Sequence, residues 1–294
     1  LHSHDVFGPR WVAVTLLSAA AIVCLPREFQ VAVVENTDER HLRTASWLFP
    51  LYLFLISLFV LPIAIAGLNF LPEGSNPDMF VLTLPMWARQ EEVALLAFLG
   101  GFSSATSMVI VACIALSTMV SNHLIMPVAL RFGWVSLNAS GEIRRFLLAS
   151  RRASICLMLL LGYLYFRVKG NSDALASIGL ISFAGVAQVM PSLVGGLFWR
   201  RANADGALAG LAAGALLWAY TLFLPSFGGD FIVSSRVIAD GLFGWPLLRP
   251  HALFGLDRLD PLMHSLFWSL SLNTLLFVLL SLWREPQPLE RLQS

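Results

Sequence analysis

Between Glu91 and His123 the chain reads EEVALLAFLGGFSSATSMVIVACIALSTMVSNH, an apolar run long enough as a helix to cross the roughly 30 Å of hydrocarbon in a bilayer. Near its first third the run is interrupted by Gly100, Gly101, Ser103, Ser104, Thr106 and Ser107. A hydroxyl at that depth costs little only if its oxygen has a partner: a neighbouring helix, its own backbone, or an ion. Few folds satisfy both demands, and all of them are helical and lie in a membrane.

The rest of the chain repeats the first demand. With 57% hydrophobic and 13% charged residues and a mean hydropathy of +0.74, a chain of 294 residues cannot hide its apolar surface in a water-soluble core. The expected class is all-α integral membrane. The net charge of +1 is uninformative, and no nucleic acid partner is expected. Cys24, Cys113 and Cys156 fall in apolar segments without CxxC or nearby His spacing, which indicates neither a disulfide framework nor a zinc site. The first residues, LHSHDVFGPRW, show no signal peptide and read as a cut through a longer protein.

Seven segments have spanning length or come close to it. The first, Trp11 to Leu25, stops at Pro26 and is either a half-helix or is completed beyond the proline. Residues 27–45 are amphipathic and charged, as expected of an interfacial helix and loop. The second span is Ser46 to Phe70, with Pro50 and Pro62 expected to bend it. The turn-rich LPEGSNPD and a short apolar piece lead to the third span from Glu91, whose first-turn carboxylates suit the positive end of the helix dipole. A basic loop with Pro127 follows His123. The remaining spans are Ala153 to Arg167, Ala174 to Trp199, Gly206 to Leu224 and Leu262 to Trp283, with a long loop over 225–261 and a polar tail that looks like the start of a linker.

Alternating the loops places Arg27, Arg40, Arg43, Arg131, Arg144, Arg145, Arg151, Arg152, Arg200, Arg201, Arg284 and Arg291 on one side. Arg10, Arg89, Arg167, Lys169, Arg236, Arg249 and Arg258 fall on the other. The richer side is expected to be cytoplasmic, with the C-terminus on it and residue 1 outside.

The strings FQVAVVENTDERHLR, FLGGFSSATSM and SFAGVAQVMPSLVGGLFWRRANADGALAGLAAGALLW, in this order over nearly the whole chain, resemble the sodium:solute symporter family. Within it, LPREFQVAVVEN, IALSTMVSNHLIMP and DPLMHSLFWSLSLNTLLFVLLSLW are similar to the membrane input domain of CbrA-type hybrid sensor histidine kinases. The resemblance implies an inverted-repeat, LeuT-like core of five plus five helices. This chain, 1–294, would be a fragment holding the second repeat, core helices six to ten over about 11–199, plus two extra helices over about 206–224 and 262–283. The first repeat would lie upstream of residue 1, and cytoplasmic kinase domains would follow residue 294. The implied home is the bacterial cytoplasmic (inner) membrane.

By the same resemblance the third span is core helix eight and carries part of a Na+ site. Its carbonyl falls on Gly100 and its hydroxyls on Ser103 and Ser104, while Thr106 and Ser107 would face a second ion position. A hard cation wants several oxygens, and the rest would come from the missing repeat. The residues themselves leave a second reading open, in which the hydroxyls bond back to carbonyls of their own helix or ease close packing.

Gln188 beside Pro191 could bind substrate or satisfy the kink. Glu28 and Gln30 could line a cytoplasmic vestibule or form a wetted interfacial face, Asn273 reads as a helix contact, and His264 as interfacial rather than catalytic. Gly206, Gly210 and Gly214 allow close helix approach, within the fold or between copies. No nucleophile–base pair, phosphate loop or metal spacing appears, so the chain itself is not expected to be an enzyme. The expected function is sodium-coupled transport of a small solute such as an amino acid, serving as the transport and sensing input of a two-component sensor histidine kinase. The alternative is a non-transporting membrane receptor or anchor for the kinase.

Overall fold

The computed structural model describes residues 8–133, 140–169, 175–227, 234–256 and 259–284. The opening residues 1–7, part of the basic loop and the tail from 285 fall outside them. The described residues are helical almost throughout and contain no strand. Among the described residues six helices are long and apolar enough to cross a membrane, or seven if Arg10–Cys24 and Pro26–Val34 form one bent span. The chain divides into two compact units, one of residues 26–165 and the other of 1–25 with 166–294.

In the unit of residues 26–165, the short helix α2 (Pro26–Phe29) passes into a π turn, Gln30–Val34. Here α1 denotes the helix Pro9–Cys24 of the other unit. Asp38 then caps α3 (Glu39–Phe70), its side chain accepting the Arg40 N–H at 2.9 Å. The helix therefore starts at Glu39 rather than Ser46, and the expected interfacial loop shrinks to residues 35–38. With a cap at Asp38 and no breaker between Glu39 and Ser46, nothing stops the charged stretch from joining the helix. Pro50 and Pro62 lie inside α3 without ending it. Its apolar residues are exposed on every side, a pattern that suits a helix wrapped by hydrocarbon or by other helices. Gly67 is its one buried residue, because the Phe80 ring of α4 (Phe80–Trp87) lies across it.

The helix that opens with α5 (Glu91–Val120) does not stop near His123. It continues through a π turn, Ser121–Ile125, into α6 (Met126–Arg131). The widened turn accommodates Pro127, whose ring would otherwise strike the carbonyl one turn back. The next helix, α7 (Ser140–Lys169), also starts earlier than the expected Ala153. Its buried Ser150 meets Ser121 at 2.5 Å, and because Ser150 donates to the Leu147 carbonyl at 2.9 Å, Ser121 is the donor between them.

In the other unit, α1 stops at Leu25, which is extended before Pro26. Helix α8 (Leu175–Val186) runs through a 3-10 turn, Ala187–Val189, into α9 (Met190–Phe198). Pro191 leaves the Ala187 carbonyl without its usual donor, and the tightened turn supplies the Met190 N–H instead. Helix α10 (Ala204–Trp218) ends in a π turn, Ala219–Phe223. The loop beyond carries α11 (Ser235–Asp240) and several single 3-10 turns before α12 (Pro261–Trp283). Ala13, Leu17 and Ala20 of α1 pack on Ala184, Ala187, Leu222, Leu262 and Leu266 as the apolar core. The alanines shorten the distance α8 must close to reach α1.

Candidate functional site

Two stripes with the same period face each other in the unit containing α10 and α12. On α12 the buried residues Ser265, Ser269, Asn273, Phe277 and Ser281 recur every four positions and so form one row along the helix. On α10 the buried Gly206, Gly210 and Gly214 recur at the same interval. A Cβ at Gly210 would stand 2.6 Å from the Asn273 carbonyl oxygen, and one at Gly206 would stand 2.8 Å from that of Phe277. Backbone thus packs almost directly on backbone. The glycine repeat is used within the fold, against the last helix.

Gln188 sits at one end of this seam and is fully buried. Its amide nitrogen donates to the Ala184 carbonyl at 3.2 Å and to the Ser269 hydroxyl at 2.8 Å. Asn273 donates its amide to the Gln188 backbone oxygen at 2.7 Å and to Oε1 at 3.2 Å. The side chain is therefore a bracket between the α8–α9 turn and α12, and a substrate could reach it only by displacing Ser269 or Asn273. One turn further along, Thr221 and Ser265 share a 2.7 Å hydroxyl contact, with Thr221 also donating to Leu217 at 2.7 Å. At the opposite end, Asn203 caps α10 through the Gly206 N–H at 2.7 Å and donates to the Arg284 carbonyl at 2.9 Å, while Asp205 and Arg284 form an ion pair. The entry to α10 thereby holds the exit of α12 at both its carbonyls and its charge.

The hydroxyl patch lies in the other unit. Gly100, Ser103, Ser104, Thr106 and Ser107 are all exposed on α5, and a Cβ at Gly100 would meet nothing within 4 Å. Thr106 turns back to the Phe102 carbonyl at 2.8 Å, as Ser57 does to Leu53 and Ser182 to Ile178 on other helices. Ser103, Ser104 and Ser107 make no such bond among the described residues. The structure thus divides the patch into one hydroxyl satisfied by its own helix and three left open. Among the described residues no cluster of three His, Cys, Asp or Glu side chains could hold a metal ion. His123 is exposed, and Arg27 pairs with Glu28 at 2.9 Å.

His264 is fully buried under the loop before α12. The four-residue polar row on α12 was missed by the sequence reading, which weighed Asn273 alone. Its signal was present as Ser, Ser, Asn and Ser at multiples of four, matched by glycines at the same spacing. An open apolar groove of about 500 Å³ runs beside that row, lined by Val12, Leu16, Met263, Phe267 and Leu270. No protein-family model, curated protein or solved structure matches the chain.

Proposed function

We propose that the chain is a symporter-like module of the bacterial inner membrane with a cytoplasmic C-terminus, holding the second repeat of an inverted-repeat core and two further helices. In this reading it couples inward movement of a small metabolite to sodium and serves as the input of a sensor histidine kinase. The observation that supports it best is the α5 patch, where Ser103, Ser104 and Ser107 leave their hydroxyls open instead of bonding back as Thr106 does. Open hydroxyls on an otherwise apolar helix wait for oxygen-seeking chemistry from outside that helix. A receptor or anchor without transport is favoured by a different observation: the amide of Gln188 is fully engaged in holding helices together.

Sodium itself is the probe that separates them. Thermal unfolding of the complete protein in lipid nanodiscs is expected to shift upward when sodium replaces potassium, because a ligand that binds only the folded state stabilises it, by about 2.7 kcal/mol at a hundred times its Kd. Ser103→Ala/Ser104→Ala is expected to abolish the sodium shift while leaving stability in potassium within about 0.5 kcal/mol, since both side chains are exposed and unbonded. An unchanged unfolding temperature in sodium would remove the ion site and leave the receptor or anchor.

A further inference from the structure

The loop before α12 is fastened to that helix by an imidazole acting as an acceptor. The Leu253 N–H donates to Nε2 of His264 at 3.0 Å, and both residues are buried. An imidazole that accepts at Nε2 must be neutral and carry its proton on Nδ1. That Nδ1 is itself buried and without a partner among the described residues.

The fastened turn is under strain. Phe254, next in the chain, has φ +55°, a left-handed conformation that is costly for a bulky L-residue, and its ring lies 5.0 Å from that of Trp268, one turn along α12 from His264. The turn stays down because the Leu253 side chain is buried, Phe254 stacks on Trp268, and His264 accepts the Leu253 N–H. Only the last of these three holds can be switched by a proton.

We propose that His264 is a proton-operated clasp, in which protonation of Nε2 removes the acceptor for the Leu253 N–H and releases residues 249–256 from the start of α12. The proton comes from solvent and turns the imidazole into a cation with two donors, so a donor then faces the Leu253 donor. Among the described residues no carboxylate bonds His264 to keep that cation in place. Around it are His251 and Arg249 in the loop, Asp260 at the start of α12, and Tyr220 on the π turn after α10. Of the other elements packed on α12, α1 carries Arg10 and Cys24, and α10 carries Asp205 at its far end, where it pairs with Arg284. Tyr220 is already committed to the Leu248 carbonyl, and Asp260 makes no side-chain cap. His251 is the close electrostatic neighbour, and as a second imidazole it can add only positive charge.

His251 works in the same direction. It lies in the loop, its Nδ1 is buried without a partner among the described residues, and burial pushes its pKa below the ordinary value. A histidine lowered in the docked state contributes its stabilisation fully above about pH 6.5, and that contribution is lost as pH falls from there toward the lowered value. Only the compartment whose pH is read depends on the proposed orientation, which puts this loop outside the cell.

The test is hydrogen exchange at the Leu253 amide in the intact protein in nanodiscs, at about pH 8 and about pH 5.5, corrected for the intrinsic pH dependence of exchange. Protection is expected to fall about tenfold or more at the acidic value. His264→Gln, whose amide oxygen can accept but cannot titrate, should stay protected at both. His264→Phe should be unprotected at both, and His251→Gln should retain the transition. Should His264→Gln fail to fold, nitrogen NMR of histidine-labelled wild type still decides. It should show Nδ1–H alone at neutral pH and a doubly protonated ring appearing with the loss of Leu253 protection. Protection in the wild type that ignores pH, a transition that survives His264→Gln, or a ring that protonates without releasing the amide would overturn the clasp.

Discussion

Gly210→Val is expected to separate α10 from α12 and to cost about 3 kcal/mol or more, read as a fall in the midpoint of thermal or denaturant unfolding. The added Cβ would stand 2.6 Å from the Asn273 carbonyl oxygen, 2.7 Å from its Oδ1 and 3.1 Å from the Phe277 Cβ. A flexible side chain could turn away from such a contact, but a backbone carbonyl inside a helix cannot move without breaking the ladder around it. Gly196 on α9 is the control: a Cβ there meets nothing within 4 Å, so Gly196→Ala should be neutral or stabilise by up to about 1 kcal/mol through helix propensity. Equal responses at the two positions would mean that α10 and α12 do not touch along the glycine row.

The second large effect concerns the bracket. Asn273→Leu keeps the branching and heavy-atom count of the side chain but leaves the Gln188 backbone oxygen and Oε1 without their donor. A single hydrogen bond between helices in a bilayer contributes only about 0.6 kcal/mol on average, whereas a buried acceptor stranded without a partner costs about 1–3 kcal/mol. Stranding is therefore the larger contribution, and about 2 kcal/mol is expected for Asn273→Leu and for Gln188→Leu alike. The double variant strands fewer groups than the two single ones combined. It should lose clearly less than their sum, with a coupling of about 1 kcal/mol or more. Strict additivity would show that the two amides do not meet.

Element positions were most legible where chemistry punctuates the chain. Asn203 and Pro261 mark the starts of α10 and α12, and both helices begin within two residues of where the sequence places them. The start of α3 was not legible because ERHLRTA is charged enough to read as surface, although a capped helix carries such residues easily beyond the apolar stretch. The end of α5 was hidden by Pro127, which stops an ordinary helix but follows a π turn without ending it. The open hydroxyls of Ser103, Ser104 and Ser107 were visible as residue types, but only the fold separates them from the self-bonded Thr106. Gln188 carried two readings in the sequence because an amide at depth serves either use, and its partners on α12 lie more than eighty residues away.

The central claim is that sodium on α5 drives movement of a solute. It is tested most directly by uptake of radiolabelled amino acids and small carboxylates into proteoliposomes of the complete protein, with and without an inward sodium gradient. Uptake that requires the gradient and is lost in Ser103→Ala/Ser104→Ala, while that variant keeps its stability, is the expected result. Uptake indifferent to sodium, or unchanged in the double variant, would contradict the claim. Absence of uptake for every compound by the folded protein would do so as well, and would leave a receptor or anchor in its place.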